Sequence, residues 1–215
     1  MERTVTGLVY IFTGNGKGKT SAALGVAMRA VGQGKRVAIV QWYKEKSKIK
    51  NQKSKIQTWQ IGEHRLPELL KQPMFEIYPM GQGFYKLPTD HASAGEHRRA
   101  AKEALELAKR LLNGQMATMA TMARNSSEFN RSNHSSHSNR LFLLVLDESI
   151  NAVNDKLISQ ISLIRLISQR GSTHIILTGR RAPKKLIDLA DLVTEMKNLK
   201  HPFNRGQKAV LGLDF

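Results

Sequence analysis

The sequence predicts an α/β fold in which a mainly parallel β-sheet carries helices on both faces, in one domain over residues 1–215. Two observations predict it. Short runs that are apolar throughout alternate with segments of helical composition, and strands without a polar face are typical of parallel sheets buried on both sides. The first apolar run leads through a glycine-rich loop into a helix former, which is the order of a strand, a phosphate-binding loop and a helix.

The remaining elements are predicted from apolar runs and from the positions of glycine and proline. We predict strands at residues 8–12, 36–42, 57–60, 75–79, 141–148, 173–178 and 192–196, the last as a core strand. We predict helices at residues 19–30, 67–71, 90–112, 156–169 and 183–189. Gly32 and Gly34 end the first of these helices, and Pro183 fits the entry of the last.

The loop after the first strand has the composition of a phosphate-binding loop. Its glycines let successive backbone N–H groups point into one concavity, and the helix start adds the positive end of its dipole. Lys19 would place its ammonium on the outer phosphates, and the Thr20 hydroxyl would bind Mg²⁺. Thr13 stands where the general motif has glycine, so a glycine-rich turn without a ligand is the alternative. The predicted nucleotide-binding residues of this stretch are Thr13, Gly14, Asn15, Gly16, Lys17, Gly18, Lys19, Thr20 and Ser21.

Polar residues directly follow two other predicted strands. Asp147 and Glu148 end the apolar run that starts at residue 141, and Arg180 follows the run that starts at residue 173. Because the carboxyl ends of parallel strands meet at one edge of a sheet, we expect these side chains beside the loop. We predict Thr20, Asp147 and Glu148 as metal ligands and Arg180 as a phosphate contact. A strand-end cap for Asp147 and a surface ion pair for Arg180 are the alternatives.

The charge of the chain is strongly positive, with 34 Lys and Arg against 17 Asp and Glu and a formal net charge of +17. Such an excess favours polyanionic partners. Residues 44–56 carry six lysines, but no aromatic residue interleaves them, which favours a solvated loop over a nucleic-acid contact. Residues 115–139 are dominated by Met, Asn, Ser, His and Arg and cannot build a core, so we predict flexible insertions at 44–56 and 115–139.

The chain has no cysteine, which excludes disulfides, thiolate nucleophiles and zinc bound by cysteine. Met1-Glu-Arg leads almost directly into the first strand, so we expect no signal peptide. The apolar run at 141–146 is too short to cross a bilayer. We therefore expect a cytoplasmic protein with no membrane partner.

Several motifs stand in the order found in one known family. They lie at residues 13–20, 29–37, 40–44, 80–84, 146–148, 178–183, 190–196 and 200–203. Together they resemble the ATP:corrinoid adenosyltransferases of the BtuR/CobO/CobP-like group over most of the chain. The threonine at position 13 is part of the resemblance, because that family also departs there from other phosphate loops.

The resemblance implies a RecA-like P-loop fold and a transferase reaction. A Co(I) corrinoid attacks C5′ of ATP and expels triphosphate, in adenosylcobalamin synthesis or salvage. It also implies ATP, Mg²⁺ (with Mn²⁺ as a substitute) and a corrinoid substrate, a homodimer, and an electron-donor protein such as a flavodoxin. Carried onto this sequence, Lys19, Phe84 and Glu148 are implied as catalytic and Arg29 as a further nucleotide contact.

Phe84 is implied as a wedge beneath the corrinoid that removes the lower cobalt ligand of cob(II)alamin and excludes water. It follows Gly81 and Gly83 on a loop, and the alternative is an aromatic tucked under the adjacent helix. The chain departs from the family at two nearby positions. Lys86 stands where the family has a second aromatic, and Glu45 stands where it has glycine.

Two other functions fit parts of the sequence. A nucleic-acid-associated P-loop ATPase would explain the charge and the lysine run. A basic module that binds a nucleotide without chemistry would explain Lys86 and the insertions. The products separate the three hypotheses, because only adenosyl transfer releases triphosphate in a reaction that depends on reduced corrinoid.

The composition of residues 115–139 leads to the first prediction. If Met116–Ser138 is replaced by a short Gly/Ser linker, adenosyl transfer should persist, because the segment lacks the apolar residues to pack. The visible spectrum of the cobalamin product measures the transfer, and circular dichroism checks the fold. A folded variant without activity would place the segment in the site.

Overall fold

The computed structural model describes residues 6–45, 61–70, 74–88, 90–114 and 140–214. Most of the predicted lysine-rich insertion, the short strand predicted at 57–60 and the whole predicted insertion at 115–139 lie outside these residues. No helix in the described part of the chain is long and apolar enough to cross a membrane.

Six strands form one sheet in which every neighbouring pair is parallel. The strands are β1 (Val9–Thr13), β2 (Arg36–Gln41), β3 (Phe75–Pro79), β4 (Leu141–Asp147), β5 (His174–Thr178) and β6 (Leu192–Glu195). Their order across the sheet is β3-β2-β4-β5-β1-β6. One strand, β5, therefore separates the strand that leads into the glycine-rich loop from the strand that ends in Asp147. This architecture confirms the predicted α/β class with a parallel sheet.

In the described residues, six α-helices accompany the sheet: α1 (Lys19–Gly32), α2 (Leu66–Leu70), α3 (Ala94–Leu112), α4 (Ser149–Asn154), α5 (Gln160–Ser168) and α6 (Lys184–Ile187). Short 3₁₀ helices lie at Gly62–Arg65 and Pro202–Arg205. Helix α3 begins four residues later than predicted, because Ser93 and Glu96 form a reciprocal capping box that fixes its start.

The helix predicted at 156–169 is present as α5, but it begins at Gln160 instead of residue 156. The helix before it, α4, ends at Asn154 and was not predicted. Lys156 lies between them with φ of 58°, a left-handed conformation that breaks an α-helix. The Ser159 side chain then accepts from the Ser162 N–H and caps α5.

Helices cover both faces of the sheet, as the apolar strands predict. On one face, Ala23 and Ala27 of α1 pack in a cluster with Ile39 and Val145. On the other face, helices α3, α4 and α5 pack in a larger cluster that includes Leu144 of β4. Small alanines on α1 let the helix axis approach the sheet closely, which holds its first turn over the ends of the strands.

Strand β6 was predicted as a core strand, and its burial contradicts that prediction. It pairs only with β1 and forms an edge of the sheet. All four of its residues are exposed, and Leu192 and Val193 keep 38% and 40% of their surface. The apolar run therefore predicted a strand here correctly, but it did not predict whether the strand is buried.

The contrast between β4 and β6 gives a prediction for stability. Leu144→Ala removes a side chain with 0% exposure and should lower the free energy of unfolding by about 2–5 kcal/mol. Leu192→Ala removes the same atoms from the exposed edge strand and should change it by less than about 0.5 kcal/mol. Urea denaturation followed by circular dichroism measures both, and similar losses would contradict this account of the core.

Candidate active site

The glycine-rich loop lies between β1 and α1 and is pressed against the chain that follows β6. Gly14 and Gly18 have left-handed φ values of 98° and 108°. A Cβ on Gly14 would lie 2.3 Å from the carbonyl oxygen of Met196, so no side chain fits there. The Gly16 N–H donates to the same carbonyl at 2.7 Å. Both left-handed conformation and close backbone approach therefore require glycine in this loop.

Helix α1 begins at Lys19 with its N-terminus open to the loop. No side chain caps its first turn and no acidic residue lies there. The Lys19 ammonium donates to the carbonyl oxygens of Gly14 at 3.0 Å and Gly16 at 2.7 Å. Burial and the nearby Arg180 guanidinium lower the pKa of Lys19. The positive helix end and this lysine make the loop an anion site.

Asp147 is a fully buried carboxylate at the end of β4. Its Oδ1 accepts from the Thr20 hydroxyl at 2.9 Å and from the Thr178 hydroxyl at 2.7 Å. Its Oδ2 accepts from the Gln41 amide at 3.2 Å. Burial raises the pKa of Asp147 despite these donors. The predicted pair of Thr20 and Asp147 is thus in direct contact.

Glu148 does not belong to β4, although the strand was predicted to include it. Its φ is 60°, a strained turn that starts α4. One carboxylate oxygen, Oε2, is buried and has no hydrogen-bond partner among the described residues. Burial and the adjacent Asp147 carboxylate raise the pKa of Glu148 to about 7. A buried, unpartnered acid oxygen next to a second carboxylate is suited to a cation.

The three predicted metal ligands therefore lie together, and all of them offer oxygen. A hydroxyl and two carboxylates are hard ligands of the kind that Mg²⁺ takes, with the other positions filled by phosphate oxygens and water. The unpartnered oxygen of Glu148 is the observation that fits such an ion best.

A cavity of about 690 Å³ joins the loop to Thr20 and Glu148, while Asp147 is buried behind them, and this volume suits a nucleotide. Residues 15–21 form one wall, and Glu63 and Leu66 form another. Arg180 also lines it, with a guanidinium N–H donating to the Asn15 carbonyl at 3.3 Å. Gly179 brings Arg180 there with φ of 147°, and a Cβ at that position would meet Ile150 at 2.7 Å.

Two implied site residues lie outside this cavity. Arg29 is exposed in the last turn of α1, ten residues or roughly 15 Å along the helix from Lys19, so the structure does not bring it to the loop. Phe84 is 53% exposed on the loop after β3, at the same edge of the sheet. Its exposure contradicts the alternative in which it is tucked under the adjacent helix.

The structure adds residues that the sequence analysis missed. Asn151 accepts from the Arg180 backbone N–H at 2.8 Å and lines the cavity. The C-terminal segment also borders the cavity, and Asp214 forms an ion pair with Lys17 of the loop. Gln41 ends a buried strand just as Asp147 does, so the strand-end argument could have found it. Nothing in the sequence distinguished Asp214.

Comparison with known proteins places this geometry in context. Residues 5–215 match the family described as ATP:corrinoid adenosyltransferase BtuR/CobO/CobP. A corrinoid adenosyltransferase of Escherichia coli (strain K12) is 31% identical over 210 residues, covering 97% of this chain and 86% of the relative. The corrinoid adenosyltransferase CobA of Salmonella typhimurium is 31% identical over 214 residues, and a corrinoid adenosyltransferase of Pseudomonas aeruginosa is 28% identical over 218.

The positions of Lys19 and Arg29 on one helix lead to a paired prediction. Lys19→Ala should raise the dissociation constant for ATP at least about tenfold, because a charge-assisted contact contributes about 1.5–3 kcal/mol. Arg29→Ala removes a cation from the exposed end of the same helix and should leave it within about twofold. Isothermal titration calorimetry measures both, with circular dichroism as the test of folding. Equal losses would show that the cavity described here is not where ATP binds.

Proposed function

The chain belongs to the ATP:corrinoid adenosyltransferase family BtuR/CobO/CobP, and from this premise we propose the reaction that it catalyses. It transfers the 5′-deoxyadenosyl group of ATP to the Co(I) centre of a corrinoid. The cobalt electron pair forms the Co–C5′ bond, the C5′–O5′ bond breaks, and triphosphate leaves with the electron pair of that bond. The family match over nearly the whole chain favours this reaction over a nucleic-acid-associated ATPase or a binding module without chemistry.

The observation that carries the proposal is a cavity in which the anion site of the loop lies beside an oxygen cluster, which is formed by Thr20, Asp147 and Glu148. The nucleophile belongs to the corrinoid, so the protein needs no nucleophilic side chain. Its task is to hold the leaving triphosphate, whose charge rises as the C5′–O5′ bond breaks. Lys19 and Arg180 lie at the loop where that charge would develop. Burial and then repulsion by Arg180 lower the pKa of Lys19, and a polyanion would relieve that repulsion.

Thr20, Asp147 and Glu148 would hold Mg²⁺, or Mn²⁺ in its place, and the cation would neutralise part of the triphosphate charge. The residues themselves prepare this position. Thr20 is the second residue of α1, and its hydroxyl donates a hydrogen bond to Asp147. Helix α1, which would bind the phosphates, is therefore in direct contact with the acid that would bind the metal. Glu148 is held beside them in its left-handed turn by its own N–H, which donates to Thr178 at 2.8 Å.

The loop that carries Phe84 is anchored on both sides, which supports the role of Phe84 as a corrinoid wedge. The Gly81 N–H donates to the Lys44 carbonyl at 2.8 Å, and a Cβ on Gly81 would meet the Trp42 carbonyl at 2.4 Å. After Phe84, the Tyr85 ring packs against His97 with centroids 5.0 Å apart. An exposed aromatic on a loop held at both ends can present its face to a ligand without collapsing onto the protein.

The wider biological setting follows from the same proposal. The enzyme acts in adenosylcobalamin synthesis or salvage, in the cytoplasm, as a homodimer, and it takes electrons from a protein such as a flavodoxin. Incubation with ATP, Mg²⁺ and chemically reduced cobalamin tests the central claim. The visible spectrum should change to that of an alkyl-cobalamin and triphosphate should accumulate in equal amount. Orthophosphate release without a spectral change would refute the proposed function.

Phe84 gives the prediction that follows from the wedge. Phe84→Ala should still bind ATP but lose the spectroscopic signal of four-coordinate cob(II)alamin, because the phenyl ring no longer excludes the lower ligand and water. Transfer should be far slower from cob(II)alamin with a reductant than from pre-reduced cob(I)alamin. Equal loss from both starting states, or no loss from either, would show that Phe84 is not the wedge. Leu87→Ala, which truncates another exposed apolar residue on the same loop, is the matched control.

A further inference from the structure

Gln41 is a buried amide that contacts Asp147 through the carboxylate oxygen that Thr20 of α1 does not use. It ends β2 and has 0% exposure. Its Nε2 donates to Asp147 Oδ2 at 3.2 Å, and its Oε1 lies 2.7 Å from Nε2 of His64. Because an amide oxygen can only accept, His64 must donate in this contact. The amide thus connects a histidine to the acid at the centre of the site.

The two ends of an amide are chemically different, so its orientation matters. As placed, the Gln41 N–H group faces an acceptor and the Gln41 oxygen faces a donor. A flipped amide would set its oxygen against Asp147 Oδ2, a repulsive contact, and the buried carboxylate would lose the only donor that its Oδ2 has among the described residues. The carboxylate therefore fixes the orientation of the amide, and the amide oxygen then requires the tautomer of His64 that carries its proton on Nε2. In that form His64 donates to Gln41 Oε1 and holds the amide at its other end.

His64 lies next to a wall of the cavity. It lies in the 3₁₀ helix Gly62–Arg65, whose Gly62 and Glu63 line the cavity. The Gln41 Nε2 is also 3.4 Å from Glu63 Oε1, so two consecutive residues of this 3₁₀ helix meet the same amide. Gln41 therefore links Glu63 and His64 to Asp147. The other carboxylate oxygen of Asp147 accepts from Thr20.

We propose that His64 is a positioning residue that acts through Gln41 to hold the Asp147 carboxylate in the orientation that binds the divalent cation of the ATP complex. The inference rests on the proposed function in taking Asp147 as a ligand of that cation. His64 itself touches neither the cation nor the phosphates. Its contribution lies in keeping a buried acceptor correctly oriented, and outer hydrogen-bond partners of metal ligands typically contribute 10–100-fold to metal affinity or activity.

Two substitutions at His64 separate donation from packing. His64→Phe keeps a ring of similar size but has no donor, and His64→Gln keeps an N–H donor without the ring. We expect His64→Phe to weaken Mn²⁺ binding to the protein–ATP complex by about 10–100-fold. His64→Gln should stay within about threefold of the parent protein. Electron paramagnetic resonance of free Mn²⁺ during titration measures this directly, with no corrinoid present. Arg65→Ala, an exposed neighbour on the same 3₁₀ helix, is the matched control.

A double-mutant cycle tests whether the effect passes through Gln41. In a Gln41→Leu background the amide is absent, so His64→Phe should cause no additional loss of Mn²⁺ affinity. Thermal unfolding of each variant identifies damage to the fold, and His64→Leu serves as the donorless variant if His64→Phe does not fold. Affinity for ATP without metal should change by less than about threefold, because the loop and Lys19 are untouched.

The outcomes divide clearly. Loss with His64→Phe, retention with His64→Gln and non-additivity with Gln41→Leu support the inference. Equal effects of the two His64 substitutions, no effect of either, or full additivity would overturn it. Failure of the proposed function gives a different result, because a protein that does not adenosylate corrinoid can still show the Mn²⁺ pattern. An active enzyme with unchanged Mn²⁺ affinity in His64→Phe would overturn only the role of His64.

Discussion

The site depends on one buried carboxylate. Asp147 lies at the end of the central strand β4 with no exposed surface, where an unpaired charge would cost several kcal/mol. Its donors come from three different elements: Thr20 from α1, Thr178 from β5 and Gln41 from β2. The hydrogen bonds that stabilise this charge therefore also hold α1 and the two neighbouring strands, β2 and β5, against Asp147. The same atoms hold the fold together and define the site.

The residues around Asp147 carry strain that the core does not. Glu148 adopts a left-handed conformation and keeps an unpartnered buried oxygen, while Gly14 and Gly179 occupy positions that no side chain could fill. The large apolar clusters on both faces of the sheet can support this cost. These three residues lie at the carboxyl edge of the strands, which is where a doubly covered parallel sheet binds its ligands.

Much of this could be predicted from the sequence because the signals were local. The glycine loop, Lys19-Thr20 and an apolar strand ending in Asp147 each lie within a few residues, and the strand-end argument then brought them together. The failures had non-local causes. An apolar run cannot show that β6 lies at an edge, and a helical pattern cannot show that Lys156 turns left-handed. Arg29 belongs to a family motif, but it lies about three helical turns from the loop, which the motif alone does not show. The contact between His64 and Gln41 joins residues 23 apart in the chain.

Two pairs of like charge lie at the site, and their arrangement favours a metal–triphosphate complex as the ligand. Lys19, Arg180 and Glu148 line the cavity, and Asp147 is buried next to Glu148. Burial and then repulsion by Arg180 lower the pKa of Lys19. Burial and then repulsion by Asp147 raise the pKa of Glu148 to about 7. A polyanion relieves the first repulsion and a divalent cation relieves the second. The two pairs offset each other only in part, because Lys19 and Arg180 act to lower the pKa of Glu148, which still stands at about 7. A complex of metal and triphosphate would relieve both repulsions at once.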